Sequence, residues 1–107
     1  MVITAENRND RIRIKVPQNF AIKEVDQFRK QMYDLINAGE KAFDIDFSQC
    51  SFIDSAGLGV LISIYKKCME KGGSLKLYSL QPEVMRIFTL TRLDKVFEIL
   101  PQCIVVD

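Results

Sequence analysis

The stretch Asp46–Leu80, DFSQCSFIDSAGLGVLISIYKKCMEKGGSLKLYSL, decides how the chain folds. It begins inside an alternating segment, Ala42 to Phe47. There Phe43, Ile45 and Phe47 share one face and Asp44 and Asp46 the other, as in a half-buried strand. From Gly57 to Lys71 the apolar residues recur at helical spacing, with Leu58, Leu61, Ile62, Tyr65, Cys68 and Met69 along one side. Lys66, Lys67 and Lys71 lie near the negative pole of that helix, and Gly72-Gly73 ends it. Ser74 to Leu80 alternates again, with Leu75 and Leu77 facing in. Strand, helix, strand in this order implies parallel neighbours joined by a right-handed crossover.

The flanks extend the pattern. Val2 to Ala5 favours a strand and Glu6 to Asp10 a polar turn. Arg11 to Val16 places Ile12, Ile14 and Val16 on one face, and Pro17 ends that strand. Ala21 to Ala38 is helical in period, with the stripe Ile22, Val25, Phe28, Met32, Leu35 and Ile36, and Gly39 stops it. Pro82 suits a first helical position, followed by Val84, Ile87, Phe88 and Thr91 in a short helix. Lys95 to Ile99 reads as the last main strand, and Ile104 to Val106 as a short apolar tail. The predicted order is β-β-α-β-α-β-α-β. A strand buried on both faces would be continuously apolar. Here Arg13, Asp44 and Lys76 interrupt the second face. The expectation is an α/β fold: a small mixed sheet with helices packed mainly on one face, as a single domain over residues 1–107.

Composition excludes several functions. The 107 residues are 48% hydrophobic and 27% charged, with a formal net charge of +1. So near-neutral a chain has no broad field for nucleic acid or an acidic membrane. Arg11, Arg13 and Lys15 alternate with apolar residues and read as a solvated strand face. The longest nearly apolar run, Gly57 to Ile62, is far short of the ~20 residues that span a bilayer. The N-terminus lacks the plan of a signal peptide. Cys50, Cys68 and Cys103 are an odd set without C-x-x-C spacing, as expected of reduced thiols in the cytoplasm. The chain has no histidine. Ser-His-Asp and Cys-His catalysis and histidine-based zinc sites are therefore out. No G-x-x-x-x-G-K-[ST] loop is present. No lysine lies near Ser55 in sequence for Ser-Lys chemistry. Asp44 and Asp46 share a strand face but are expected to face water. The chain is thus predicted to be no enzyme and to need no cofactor or metal.

Ser55, in I-D-S-A-G-L-G (residues 53–59), lies where a strand passes into a helix. Such strand ends are where α/β domains present function. One reading is that Asp54 or Ser55 merely caps the helix, worth ~1 kcal/mol. The other is phosphorylation. A helix N-terminus offers free amides and partial positive charge, and Gly57 and Gly59 permit close approach. A phosphoserine carries about −1.5 to −2 charge. The helix end tolerates it; a partner docked on the same surface does not. Losing ~3–4 kcal/mol of binding weakens affinity roughly a hundred- to a thousand-fold.

From about Ile12 to Ile99 the chain resembles the STAS domain family, in particular the bacterial anti-sigma factor antagonists. The resemblance is strongest over Asp46–Leu80, in D-S-A-G-L-G and the K-G-G before the next strand, and continues in PEVMRIFTLTRLDKVFEIL. It implies a mixed sheet packed on helices and no active site. It further implies that the unphosphorylated form binds an anti-sigma factor that is also a serine kinase. Phosphorylation of the serine after the motif's aspartate ends binding, and a serine phosphatase restores it. Carried onto this chain, the phosphoacceptor is Ser55, and Asp54, Ala56, Gly57, Leu58, Asn19 and Phe20 are the expected partner-binding residues. For Leu58 and Phe20 a core position is the competing reading. Two positions depart from the family. Ala56 stands where Ser or Thr is frequent, leaving one candidate hydroxyl. Gln18 and Ala21 stand where Gly and Asp are frequent before the first helix. The alternative function is a STAS subunit of a larger regulatory or lipid-transport assembly, with Ser55 only a cap. The expected state is a cytoplasmic monomer or weak dimer without nucleic-acid binding or membrane insertion.

Overall fold

A computed structural model describes residues 5–8 and 11–101. A five-stranded sheet runs in the order β1 (Ala5–Arg8), β2 (Arg11–Lys15), β4 (Ala42–Asp46), β6 (Ser74–Tyr78), β7 (Glu98–Leu100). β1 pairs antiparallel with β2, and every other neighbour is parallel. The sheet is therefore mixed, as predicted. β3 (Asn19–Phe20) and β5 (Phe52–Ile53) form a separate two-stranded parallel pair.

The described residues also form three α-helices: α1 (Ile22–Asn37), α2 (Ser55–Glu70) and α3 (Pro82–Leu90). The strands send Ile12, Ile14, Phe43, Ile45, Leu75 and Leu77 into one buried cluster. Val25, Phe28, Met32 and Ile36 of α1, and Val84 and Phe88 of α3, meet them there. Edge-to-face ring contacts run through it, from Phe28 to Phe20 at 4.8 Å, then to Phe47 at 6.4 Å, Phe88 at 6.1 Å and Phe97 at 5.9 Å.

Helix ends follow local chemistry. α1 stops where Gly39 adopts φ 103°, its amide bonding Ile36 while Glu40 bonds back to Leu35. α2 stops at Gly72, φ 73°, and Gly73 donates to the Cys68 carbonyl. α3 begins at Pro82, as expected.

Several expectations are corrected. Glu6–Arg8 are strand rather than turn, because they pair with Arg11–Arg13. The last strand starts at Glu98, because Leu93–Lys95 form a 3-10 turn before it. β6 ends at Tyr78, where Ser79 takes φ 61°. The face of α2 is rotated from the predicted one. Gly57, Val60, Leu61, Ile64 and Cys68 are buried, while Met69 is exposed. Residues 56–62 are continuously apolar or glycine, so periodicity alone cannot single out a face there. Ile22, read as part of the α1 stripe, is 71% exposed, and the buried face of α1 begins at Val25. Ile104 to Val106 and Cys103 lie outside the described residues.

The second face of the sheet carries two ion pairs, Arg11–Asp44 and Arg13–Asp46. Arg11 bonds the Asp44 carboxylate at 2.7 Å, the Ser74 hydroxyl at 2.7 Å and the Phe43 carbonyl at 3.0 Å. Asp46, expected to face water, is 2% exposed. It accepts from Arg13 at 2.8 Å and from the Ser48 amide at 2.8 Å. Burial pushes its carboxyl up, but the bonds from Arg13 and Ser48 outweigh that and hold it below its ordinary value.

Candidate functional site at the start of the second helix

The site is built where the β3/β5 pair meets the amino ends of two helices. β3 and β5 are in register, Asn19 beside Phe52 and Phe20 beside Ile53. Side chains alternate across a strand. Phe20 and Ile53 therefore point in and are buried, while Asn19 and Phe52 point out and are exposed. The loop ahead of them is braced. Ser51 and Phe52 amides donate to the Gln18 carbonyl, and Gln81 Nε2 donates to the Ser48 carbonyl at 2.9 Å.

Asp54 follows at once, with extended backbone, as the N-cap of α2. Its Oδ1 accepts from the Gly57 amide at 2.9 Å. Its Oδ2 accepts from the Ile22 amide at 3.1 Å. Ile22 is the first residue of α1, and the α1 N-cap, Ala21, supplies no side-chain bond of its own. One carboxylate thus serves two helix ends.

Ser55 is the first helical residue of α2, and it is exposed. It is not the cap, so the reading of Ser55 as a cap is corrected: Asp54 holds that role. Ala56 and Leu58 are half-buried against the core. Gly57 is buried, and a Cβ there would lie 2.5 Å from the Phe20 carbonyl oxygen and 2.8 Å from Ile53 Cγ1. The absent side chain lets α2 seat on β3 and β5. Phe20 has no exposed surface. It was expected both as a partner contact and as a core residue, and burial among Phe28 and Phe47 leaves it the core role. Gly57 likewise offers a partner no side-chain surface.

Two exposed residues were not among the expected contact residues. Ile22, 71% exposed, and Phe52, 51% exposed, flank an open hollow of about 350 Å³ that Asn19, Ala21, Lys23 and Glu24 also line. Ile22 is tied to Asp54, the residue before Ser55, through the bond from its amide to the Asp54 carboxylate. The signal for Phe52 was the strict alternation of a two-residue strand, which must turn one of Phe52 and Ile53 outward.

Cys50 is buried and its thiol donates to the Phe52 carbonyl at 3.3 Å. Burial pushes it above its ordinary value, which disfavours the nucleophilic thiolate. Among the described residues no cluster of three or more His, Cys, Asp or Glu side chains could hold a metal. Nor is any described helix long and apolar enough to cross a membrane.

Comparison with known proteins agrees with this architecture. Residues 3–103 match the STAS domain family. The anti-sigma-B factor antagonist of Bacillus subtilis is 30% identical over 94 residues, which is 88% of this chain and 84% of that protein. A crystal structure from Thermotoga maritima, of a protein assigned provisionally as an anti-sigma factor antagonist, superposes with a TM-score of 0.90. It is 27% identical, over 94% of this chain and 86% of that one. The phosphorylated form of the Bacillus cell fate determinant SpoIIAA shares the fold, with a TM-score of 0.74 at 19% identity over 92% and 90% of the two chains. Fold, motif and relatives agree, and the chain belongs to the STAS domain family, on its anti-sigma factor antagonist branch.

Proposed function

We propose that this chain is a phosphorylation-controlled binding protein that sequesters an anti-sigma factor while Ser55 is unmodified and releases it once Ser55 is phosphorylated. The single observation behind this is the position of Ser55: exposed, on the first turn of α2, directly after Asp54, whose carboxylate holds the Ile22 amide. The partner is an anti-sigma factor that is itself a serine kinase, and a serine phosphatase resets the system. The protein acts in the cytoplasm as a monomer or weak dimer and catalyses nothing itself.

The energetics suit a switch. A phosphate on Ser55 adds about −1.5 to −2 charge at a helix amino end, where the fold tolerates anions. A partner resting on Asn19, Ile22, Phe52, Asp54, Ala56 and Leu58 would meet that charge beside an existing carboxylate. A loss of ~3–4 kcal/mol separates bound from released over roughly a hundred- to a thousand-fold in affinity. The relative SpoIIAA has a phosphorylated form, which supports the reading by analogy.

The test is incubation with the cognate anti-sigma kinase and ATP. Mass spectrometry should show one added phosphate, located at Ser55. Ser55→Ala should abolish it and keep binding, and Ser55→Asp should weaken binding at least tenfold. Stable co-purification in a larger assembly that Ser55→Asp leaves intact would instead favour a permanent STAS subunit.

A further inference from the structure

The geometry points to Asp54 as a relay that carries the modification state of Ser55 to the first turn of α1. This inference rests on the reading of Ser55 as the phosphoacceptor and adds how that event reaches the neighbouring apolar surface.

Three observations support it. The first is the divided carboxylate, Oδ1 on Gly57 of α2 and Oδ2 on Ile22 of α1. The second is that α1 has no substitute: Ala21 makes no side-chain cap bond, so the Ile22 amide depends on a residue 32 positions away. The third is what the linked residue does. Ile22 is 71% exposed and lines the same hollow as Phe52. The bond thus ties Ile22 to the segment that bears Ser55.

A phosphate on Ser55 places a near-divalent anion one residue from that carboxylate. Like charges repel, and phosphate oxygens are strong competitors for the amides at the start of α2. Asp54 is only half-buried, so it has solvent into which to turn. A carboxylate turned away from Gly57 also leaves Ile22, because both bonds come from one rigid group. The first turn of α1 then loosens and Ile22 loses its fixed position. A partner recognising Ile22 and Phe52 meets a less ordered surface as well as the new charge, and ordering it again weakens binding.

The experiment uses the full chain by NMR in three forms: unmodified, Asp54→Asn, and with phosphoserine incorporated at position 55 during expression. It reads amide exchange at Ile22, Gly57 and Phe28, and the scalar coupling across the hydrogen bond between the Ile22 nitrogen and the Asp54 carboxyl carbon. Asparagine has one acceptor oxygen and is a good N-cap. Asp54→Asn should keep Gly57 protected while Ile22 exchanges roughly five- to tenfold faster, the factor for one lost hydrogen bond of ordinary net strength. The phosphorylated chain should lose the Ile22–Asp54 coupling and show similar acceleration at Ile22, with Phe28 unchanged. Persistence of that coupling with unaltered Ile22 exchange in the phosphorylated chain overturns the relay. So does wild-type exchange at Ile22 in Asp54→Asn. No partner enters these measurements, so failure of the relay is separate from failure of the kinase assay.

Discussion

The Asp54 carboxylate holds the Ile22 amide at 3.1 Å across 32 residues of chain, joining the starts of two helices. Asp54→Ala removes this bond and the Gly57 cap together and should cost about 1–2 kcal/mol. Ser55→Ala, at an exposed position that caps nothing, should stay within about 0.5 kcal/mol of wild type. Urea unfolding of the two variants side by side checks the contrast, and equal losses would refute the assignment of the cap.

Gly57 and Gly59 should respond to alanine with opposite signs. A methyl at Gly57 meets the Phe20 carbonyl oxygen at 2.5 Å, whereas at Gly59 nothing lies within 4 Å. Overpacking of this kind costs about 1–3 kcal/mol, more than the ~1 kcal/mol that helix propensity returns. Gly57→Ala should therefore destabilise, and Gly59→Ala should stabilise by about 0.5–1 kcal/mol. Thermal midpoints of both variants measure the two signs.

The Arg13–Asp46 pair should make the fold acid-sensitive. Asp46 is held below its ordinary value of 3.8 in the folded chain, so the unfolded chain takes up its proton first as pH falls. The stability it contributes is present above that ordinary value and is lost as pH drops through the lowered folded one. Asp46→Asn should cost about 1.5–3 kcal/mol at neutral pH, because it removes the charge of the buried carboxylate that accepts the Arg13 guanidinium at 2.8 Å. It should also flatten the loss of stability in acid. Denaturant midpoints followed from neutral to acid pH, for both proteins, decide it.

Cys50 and Cys68 should be silent thiols. Both are fully buried, and burial pushes Cys68 up to about 11. In a Cys103→Ser variant, a disulfide reagent should label the native protein only as fast as the fold opens. Labelling should become rapid in denaturant. Immediate reaction of either thiol in native buffer would contradict this.

Removing an exposed side chain that lines the hollow should separate binding from folding. Phe52→Ala truncates a side chain that is 51% exposed, so stability should change little while affinity for the anti-sigma partner drops at least tenfold. Calorimetric titration against that partner, beside a melting curve, provides both numbers.

The sequence alone determined what depends on near neighbours in the chain. Alternation in Arg11–Val16, Ala42–Phe47 and Ser74–Leu77 marked the strands and their inner faces. Gly39, Gly72 and Pro82 marked the helix ends, and I-D-S-A-G-L-G marked the passage from strand into helix. These signals are local, because side-chain period and backbone freedom are set within a few residues. Tertiary structure decided the rest. Burial of Asp46 depends on Arg13 in another strand, the orientation of α2 on the core it meets, and the exposure of Ile22 on where α1 first meets that core. The double cap by Asp54 needs residues 22 and 54 brought together by the β3/β5 pairing. No periodicity carries such a contact, because it belongs to the packing of distant segments rather than to either segment alone.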